Sequence, residues 1–371
     1  MNLSYWELKN WFSDIDYTVV GSGIVGINTA LRLKEKYPES KIIILERGIL
    51  PQGASTKNAG FASFGSISEI IEDLKNHTHE EVIQLIKKRW EGLQFLRQFL
   101  GDKVLDYRLY GGHELFLKED IETYNECIDK LPFINDILKP LFKSDVFIQQ
   151  TDHFSFKGIC SNLIFNPLEG QIDTGKMMLA LLKKAAENNI CILNSQSVTD
   201  YFESSDGVKI VTEDITFNTK KLLFATNGFS AHLTNNEVVP ARAQVLITEP
   251  IPDLHIKGTF HIDKGYYYFR NIGNRILLGG ARNLDFEGET TTEFGVTSII
   301  QKKLERVLEE IILPGKEFKI VQRWSGIMGM GTQKTPIVKQ LSEHVYCGVR
   351  LSGMGIAIGS TIGRELADLI K

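Results

Sequence analysis

Cysteine is scarce in this sequence. Cys127, Cys160, Cys191 and Cys347 show no C-x-x-C spacing, which excludes a disulfide framework or a clustered zinc site and points to buried thiols. Long apolar runs are missing as well, since no stretch approaches the roughly 20 residues that a membrane helix needs. The first residues include Glu7, Asp14 and Asp16 and lack the basic start and apolar block of a secretory leader, so the chain reads as cytoplasmic. Positive charge is not in excess: 42 Lys and Arg stand against 46 Asp and Glu, a net charge of −4, and nucleic acid is not an expected partner. Internal repeats and low-complexity linkers are also absent.

What remains is a globular mixture, with 43% hydrophobic and 24% charged residues over 371 positions, enough for about two domains. Asp16 to Val20 and Lys41 to Leu45 read as strands separated by a Gly-rich turn and a helix through Lys36. Apolar residues at helical spacing (Val82, Ile83, Ile86, Trp90, Leu93, Leu96, Leu100) predict a helix that Thr78 and Glu81 cap. A second helix follows Asp173, and a third, capped by Thr290 and Glu293, runs from Val296 to Ile311 before Pro314. Short alternating segments, among them 208–212, 221–225, 242–248, 266–270 and 275–278, read as strands. The class is therefore α/β with a strand-rich second domain. Tyr5, Trp6, Trp11 and Phe12 make the first 14 residues too aromatic for a loose tail, and packing is expected of them.

The clearest chemical signal is Gly21-Ser22-Gly23-Ile24-Val25-Gly26, directly after a strand and opening a helix, with Glu46 at the end of the next strand. Glycines allow the tight turn and the close approach of backbone to a pyrophosphate, and the helix N-terminus offers free N–H groups and a positive dipole end. Glu46 can accept hydrogen bonds from ribose hydroxyls, and its charge disfavours a 2′-phosphate. Dinucleotide binding follows, but NAD and FAD are not separated by this motif.

Two further Gly clusters separate them. A small-residue loop, Gly53 to Ser63, stands where an ordinary NAD domain proceeds to its next helix, and such a loop can lie against a flat ring. Gly348 to Gly355 precedes a C-terminal amphipathic helix whose N-terminus suits the negative charge of a reduced flavin. Either cluster alone is also what a structural turn looks like.

With these residues in order, the sequence resembles the D-amino acid oxidase and glycine oxidase superfamily of FAD-dependent oxidoreductases over nearly its whole length. The likeness is carried by the fingerprint, Glu46-Arg47-Gly48, the loop at 53–60, Gly111 to Leu115, Gln171-Ile172-Asp173, Ala225 to Gly228, Pro240 to Gln244, Tyr267 to Arg270, Gly279 to Arg282, Trp324-Ser325-Gly326 and the Gly-rich terminus. The Ser4-Tyr5-Trp6 start together with Gly53 to Gly60 looks most like the gamma-glutamylputrescine oxidase branch. The resemblance implies a Rossmann-like FAD-binding domain built from 1–84, 150–238 and 320–371. It also implies an α+β substrate domain with a mostly antiparallel sheet from 85–149 and 239–319.

FAD, held non-covalently, is expected to lie against Gly21, Ser22, Gly23, Ile24, Val25, Gly26, Glu46 and Arg47, and against Gly53, Ala54, Ser55, Asn58, Ala59, Gly60 and Phe61 of the small-residue loop. Val198 is expected at the adenine side and Asn227 and Gly228 by the nucleotide. Towards the C-terminus the expected contacts are Trp324, Gly326, Arg350, Leu351, Ser352, Gly353, Met354, Gly355 and Ile356. Cys347, near the flavin loop, is the one residue considered for a covalent link.

The reaction implied is oxidation of a C–N bond by hydride transfer to the flavin, giving an imine that hydrolyses, with oxygen or another electron acceptor as partner. The cofactor does the difficult chemistry, and no general base is required. Tyr266, Tyr268 and Arg270 share parity on their strand and read as a substrate wall with a charged anchor, or equally as a packed sheet edge. His113 is a further candidate, although a lone histidine is more often packed, and His77 and His79 read as a solvated helix start without metal-binding partners.

Two departures from the family pattern bear on substrate and acceptor. Members that oxidise free amino acids place an arginine where this sequence has Met328, so an amine or N-substituted amino acid is expected unless Arg270, Arg282 or Arg350 supplies the carboxylate clamp, with Arg350 favoured. Sarcosine-oxidase-like relatives carry a lysine in the strand where Leu277 and Leu278 stand here. A D-amino acid or glycine oxidase or dehydrogenase using another arginine is one alternative, and an NAD-linked dehydrogenase and a non-catalytic flavin-binding sensor or assembly protein are others.

Overall fold

Ile42–Leu45 is buried on both faces, as the middle of a parallel sheet requires. In the computed structural model, which describes residues 2–231 and 237–371, this strand pairs in parallel with Ile15–Val20 on one side and Cys191–Leu193 on the other. Thr216–Phe224 and Val345–Val349 continue the parallel sheet, and Ile337–Gln340 closes its edge in the antiparallel sense. A hairpin, Val198–Ser204 and Gly207–Thr212, pairs onto Thr216–Phe224.

The principal helices are α1 (Ile24–Lys36), α2 (Ile67–Asn76), α3 (His79–Leu100), α4 (Ile121–Phe142), α5 (Thr174–Glu187), α6 (Ser298–Val307) and α7 (Gly355–Asp368). Thr78 caps α3 and Asp173 caps α5, as expected from the sequence. Helix α6 starts later than expected, with Thr297 as its N-cap. The stretch before it is held extended by Gly295 N donating to Ser325 Oγ and Thr297 N donating to Gln244 Oε1, and Thr290 Oγ1 instead donates to Phe286 O. Val296 and Ile299 are consequently exposed.

Glycines let α7 sit between α1 and α3. A Cβ at Gly363 would lie 2.5 Å from Val25 O, and Thr29 Oγ1 donates to Gly363 O at 3.0 Å across the crossing. On the other side, a side chain at Gly92 of α3 would run into Ala357 O of α7.

The second sheet has the order Ile320–Met330, Val239–Thr248, Arg275–Gly280, Tyr267–Ile272, Thr259–Ile262, Gly112–Leu115, Asn162–Asn166, Ile148–Thr151. All its pairings are antiparallel except Thr259–Ile262 with Gly112–Leu115. The class is thus α/β with a mostly antiparallel second sheet. Sheet membership divides the chain elsewhere than at 84, 149 and 319. Ile320–Met330 and Asn162–Asn166 belong to the second sheet through their pairing, while α3 packs on α7. The N-terminal segment is anchored only in part: Phe12 packs on Phe217, but Tyr5 and Trp6 are 67% and 65% exposed.

A buried polar network ties the second sheet to the loop after Phe61–Ala62. Glu169 accepts from Ser63 Oγ (2.9 Å) and Thr259 Oγ1 (2.7 Å) and pairs with His261 Nε2 at 2.7 Å. Burial works against a charge on His261, but Glu169 outweighs it and raises the imidazole to about 9. Because the folded value exceeds the ordinary 6.5, the pair's contribution is complete below pH 6.5 and is lost as pH rises through 9. Chemical denaturation across that window is expected to show a decline on the order of 3 kcal/mol, and His261→Gln should flatten it; an unchanged slope in the variant would contradict the assignment. For the helix crossing, Gly363→Val should cost about 1–3 kcal/mol through overpacking, seen as a lower thermal midpoint, and an undisturbed midpoint would show that α7 can shift freely.

Candidate functional site

Helices α1 and α7 begin differently from α3 and α5. Their N-cap residues, Gly23 and Met354, make no side-chain cap. Ser55 Oγ accepts from Ile24 N at 3.0 Å, but the first turns otherwise present main-chain donors and two positive dipole ends. Both starts line one cavity of about 1150 Å³, above the roughly 300–1,000 Å³ of ordinary small-ligand sites.

Backbone geometry at the first turn is set by Gly21, whose φ of 102° and closeness to Ala225 O, 2.8 Å from an added Cβ, admit no side chain. Glu46 ends its strand 6% exposed, and its carboxylate accepts from Ser22 N, Ser22 Oγ and Gly48 N. It lines the cavity beside Arg47, Gln196 and Val198. The Arg47 guanidinium lies 3.8 Å above the Phe229 ring, a cation–π contact that holds it at the wall.

Asn58 fixes the small-residue loop. Its Oδ1 accepts from Gly60 N and Thr174 Oγ1, and its Nδ2 donates to Ala54 O and Ser55 O. Gly60, with φ of 76°, presses against Ile172 O and the Arg270 guanidinium. Trp324 Nε1 donates to Lys57 O at 2.9 Å from the second sheet. At the other end, Asn227 Oδ1 accepts from Leu351 N at 3.1 Å, joining the segment at 225–228 to the C-terminal glycine turn.

Most of the expected residues come together here. Gly21, Gly23, Ile24, Val25, Glu46, Arg47, Gly53, Ala54, Ser55, Asn58, Ala59, Gly60, Phe61, Val198, Asn227, Gly326 and Leu351 to Ile356 all line the cavity. Others lie behind its wall. Ser22 turns to Glu46, Gly26 packs against Gly21 O, Gly228 lies under Met328 O, and Trp324 supports the loop through Lys57. Cys347 is fully buried in the core of the first sheet.

Of the residues expected to touch substrate, Tyr268 lines the cavity, with Phe61 edge-on at 5.7 Å and its hydroxyl pushed up to about 12 by burial. Tyr266 does so too. Arg270, Arg350 and His113 do not. Arg270 donates from Nη2 to Ile172 O beneath Gly60, and Arg350 is turned away by hydrogen bonds from Nε and Nη2 to Thr335 O. His113 stacks on Phe260 at 4.9 Å, where burial holds it neutral at about 3. Met328 lines the cavity, whereas Leu277 packs with Ala59 and Val245, so the strand position matching the relatives' lysine is apolar.

The cavity also contains residues that the sequence reading missed: His261 and Arg89, with Glu69, Glu72, Asp73 and Asn76 along one face of α2. The spacing of these four is helical and legible in hindsight. His77, expected in solvent, lines the cavity as well. Among the described residues no cluster of His, Cys, Asp or Glu can hold a metal ion, and no helix is long and apolar enough to cross a membrane.

An extended cavity with uncapped helix starts at two places, a buried carboxylate in its wall and a small-residue loop between them fits an adenine dinucleotide carrying a flat ring system. Comparisons with known proteins agree. The chain is 23% identical to the probable oxidoreductase OrdL of Haemophilus influenzae, covering 96% of this chain and 82% of that one. It is 21% identical to the gamma-glutamylputrescine oxidoreductase of Escherichia coli, covering 96% and 83%. The fold matches the crystal structure of glycine oxidase from Geobacillus kaustophilus with a TM-score of 0.75 at 18% identity, covering 95% and 94% of the two chains. Residues 16–369 match the family described as FAD dependent oxidoreductase, and the chain belongs to that family.

Proposed function

We propose that this FAD-dependent oxidoreductase oxidises the C–N bond of a small amine or N-substituted amino acid, giving an imine that water hydrolyses. The observation that carries the reading is the wall formed by Tyr266, Tyr268 and His261 in the same cavity as the dinucleotide cradle, beside the loop that ends in Phe61. FAD, when bound, would accept the hydride, which carries both electrons of the oxidation. The chain's own residues have smaller tasks. Tyr268 and Phe61 present an aromatic surface that orients a small substrate and excludes water. His261, kept protonated by Glu169, disfavours a second cation nearby and so favours the neutral amine, whose lone pair the oxidation needs.

Cofactor contacts are proposed on the same footing. Glu46 takes the ribose hydroxyls, the amides opening α1 and α7 face the pyrophosphate and the ring, and residues 53–61 lie along the ring. The relatives' names, a gamma-glutamylputrescine oxidoreductase and a glycine oxidase, support the choice of amines and amino acids.

The purified protein should be yellow, and a panel of amines and amino acids under anaerobic conditions should contain members that bleach the flavin absorbance; a yellow protein that none of them bleaches would contradict an oxidising role. Glu46→Ala should weaken FAD by roughly 1.5–3 kcal/mol, the scale of a charged hydrogen bond. Release of fluorescent flavin on dilution measures this, and retention equal to the wild type would remove Glu46 from the ribose site.

A further inference from the structure

Glu69 stands on the first turn of α2, and one of its two carboxylate oxygens is unused. Oε2 accepts from Ser66 N at 3.0 Å, the capping contact of that helix. Oε1 has no hydrogen-bond partner among the described residues and is not among the sealed polar atoms of the interior. The partly buried side chain lines the cavity together with Tyr266, Tyr268 and His261. It faces the roof at Gly265, where an added Cβ would lie 3.3 Å from Oε1.

The other carboxylates of the cavity wall are occupied or placed elsewhere. Glu72 pairs with Lys75 and Lys264, and Asp73 pairs with Lys334. Glu46 is taken by Ser22 and Gly48, and Asp200 sits on the hairpin strand Val198–Ser204 of the first sheet. Glu69 is thus the carboxylate left open beside the aromatic wall. A second group on the same wall is also open. His261 is 6% exposed and pairs through Nε2 with Glu169, but Nδ1 has no partner among the described residues. Buried polar groups are ordinarily satisfied, so two open ones on a cavity point to a polar ligand. The Glu69 charge acts on both His261 and Arg89, and these two cations offset it. The wall therefore presents a hydrogen-bond acceptor without becoming a net negative site.

We propose that Glu69 Oε1 accepts the N–H of the substrate nitrogen and so selects primary and secondary amines over tertiary ones; this rests on the reading of the protein as an amine- or amino-acid-oxidising flavoenzyme. A neutral secondary amine carries one N–H and one lone pair on the same atom. Fixing the N–H on a rigid acceptor fixes the direction of the lone pair, which is the orientation the oxidation needs. The bond is charge-assisted and therefore among the stronger ones. A tertiary amine offers no N–H and would press an alkyl group against the carboxylate, leaving Oε1 desolvated and unpaired. The acceptor is also held in place. Glu114 of the second sheet accepts from Ser66 Oγ and Ser68 N, which seats the start of α2 against the roof.

The test uses the FAD-loaded protein and matched pairs: N-methylglycine against N,N-dimethylglycine, and pyrrolidine against N-methylpyrrolidine, with flavin bleaching followed under anaerobic conditions. A separate titration uses tert-butylamine, whose carbon next to nitrogen bears no hydrogen, read through the shift of the flavin visible band without turnover. The wild type should show the lower KM for the N–H members. Glu69→Ala should raise their KM relative to that of the tertiary partners, and the Kd for tert-butylamine, by about 10- to 100-fold, the scale of a lost charged hydrogen bond. Glu69→Gln, which keeps an acceptor oxygen without the charge, should fall between the two, and it serves if the alanine variant does not fold. A wild type that favours the tertiary members, or a KM ratio unchanged in the variants, overturns the proposal and leaves the parent reading intact. If no probe bleaches the wild-type flavin while tert-butylamine still binds through Glu69, the parent reading fails and the contact stands.

Discussion

Two uncapped helix starts pointing into one cavity are the constraint around which this protein is arranged. The amides opening α1 and α7 have few protein partners, and without a ligand two positive dipole ends would share one cavity uncompensated. Close packing holds them in that relation. The crossing of α7 on α1 needs Gly363 against Val25 O, and the crossing on α3 needs Gly92 against Ala357 O. Secondary structure, glycine placement and cofactor family are in this sense one statement made at three levels.

The second sheet closes over the site and brings charges of a different kind. Several polar groups at the sheet form buried sets: Glu169 with His261, Thr259 and Ser63, and Glu114 with Ser66 and Ser68. Both carboxylates are satisfied by hydroxyls from the segment between Phe61 and α2, so the segment that follows the small-residue loop is positioned by the roof above it. His261 and Tyr268, cross-strand partners in one hairpin, and Arg89 from α3 line the cavity together.

Local chemistry was readable from the sequence, and long-range packing was not. The fingerprint, the end of the Ile42–Leu45 strand at Glu46, and the caps Thr78 and Asp173 depend on a few neighbouring residues, and all stand where the sequence placed them. The start of α6 did not, because Gln244 and Ser325 of other strands hold the preceding residues extended and no local pattern reveals them. Arg270 and Arg350 were misjudged for the same reason: strand parity and motif position say which way a side chain leaves the backbone, while carbonyls of Ile172 and Thr335 decide where it ends. Arg89 was legible. A charge in step with Val82, Ile86, Leu93 and Leu96 is a conflict between pattern and composition, and such conflicts mark places where packing has yielded to another demand.

The crossing of α7 with α1 also has a long-range side. Gly21 to Gly26 lies early in the described chain, whereas Gly355–Asp368, the helix that packs on α1, and Val345–Val349, which joins the parallel sheet, lie more than 300 residues later. The two sides of the cavity are therefore separated by most of the described chain, and folding must bring them together. The cavity thus takes its shape only where segments far apart in the described chain have met.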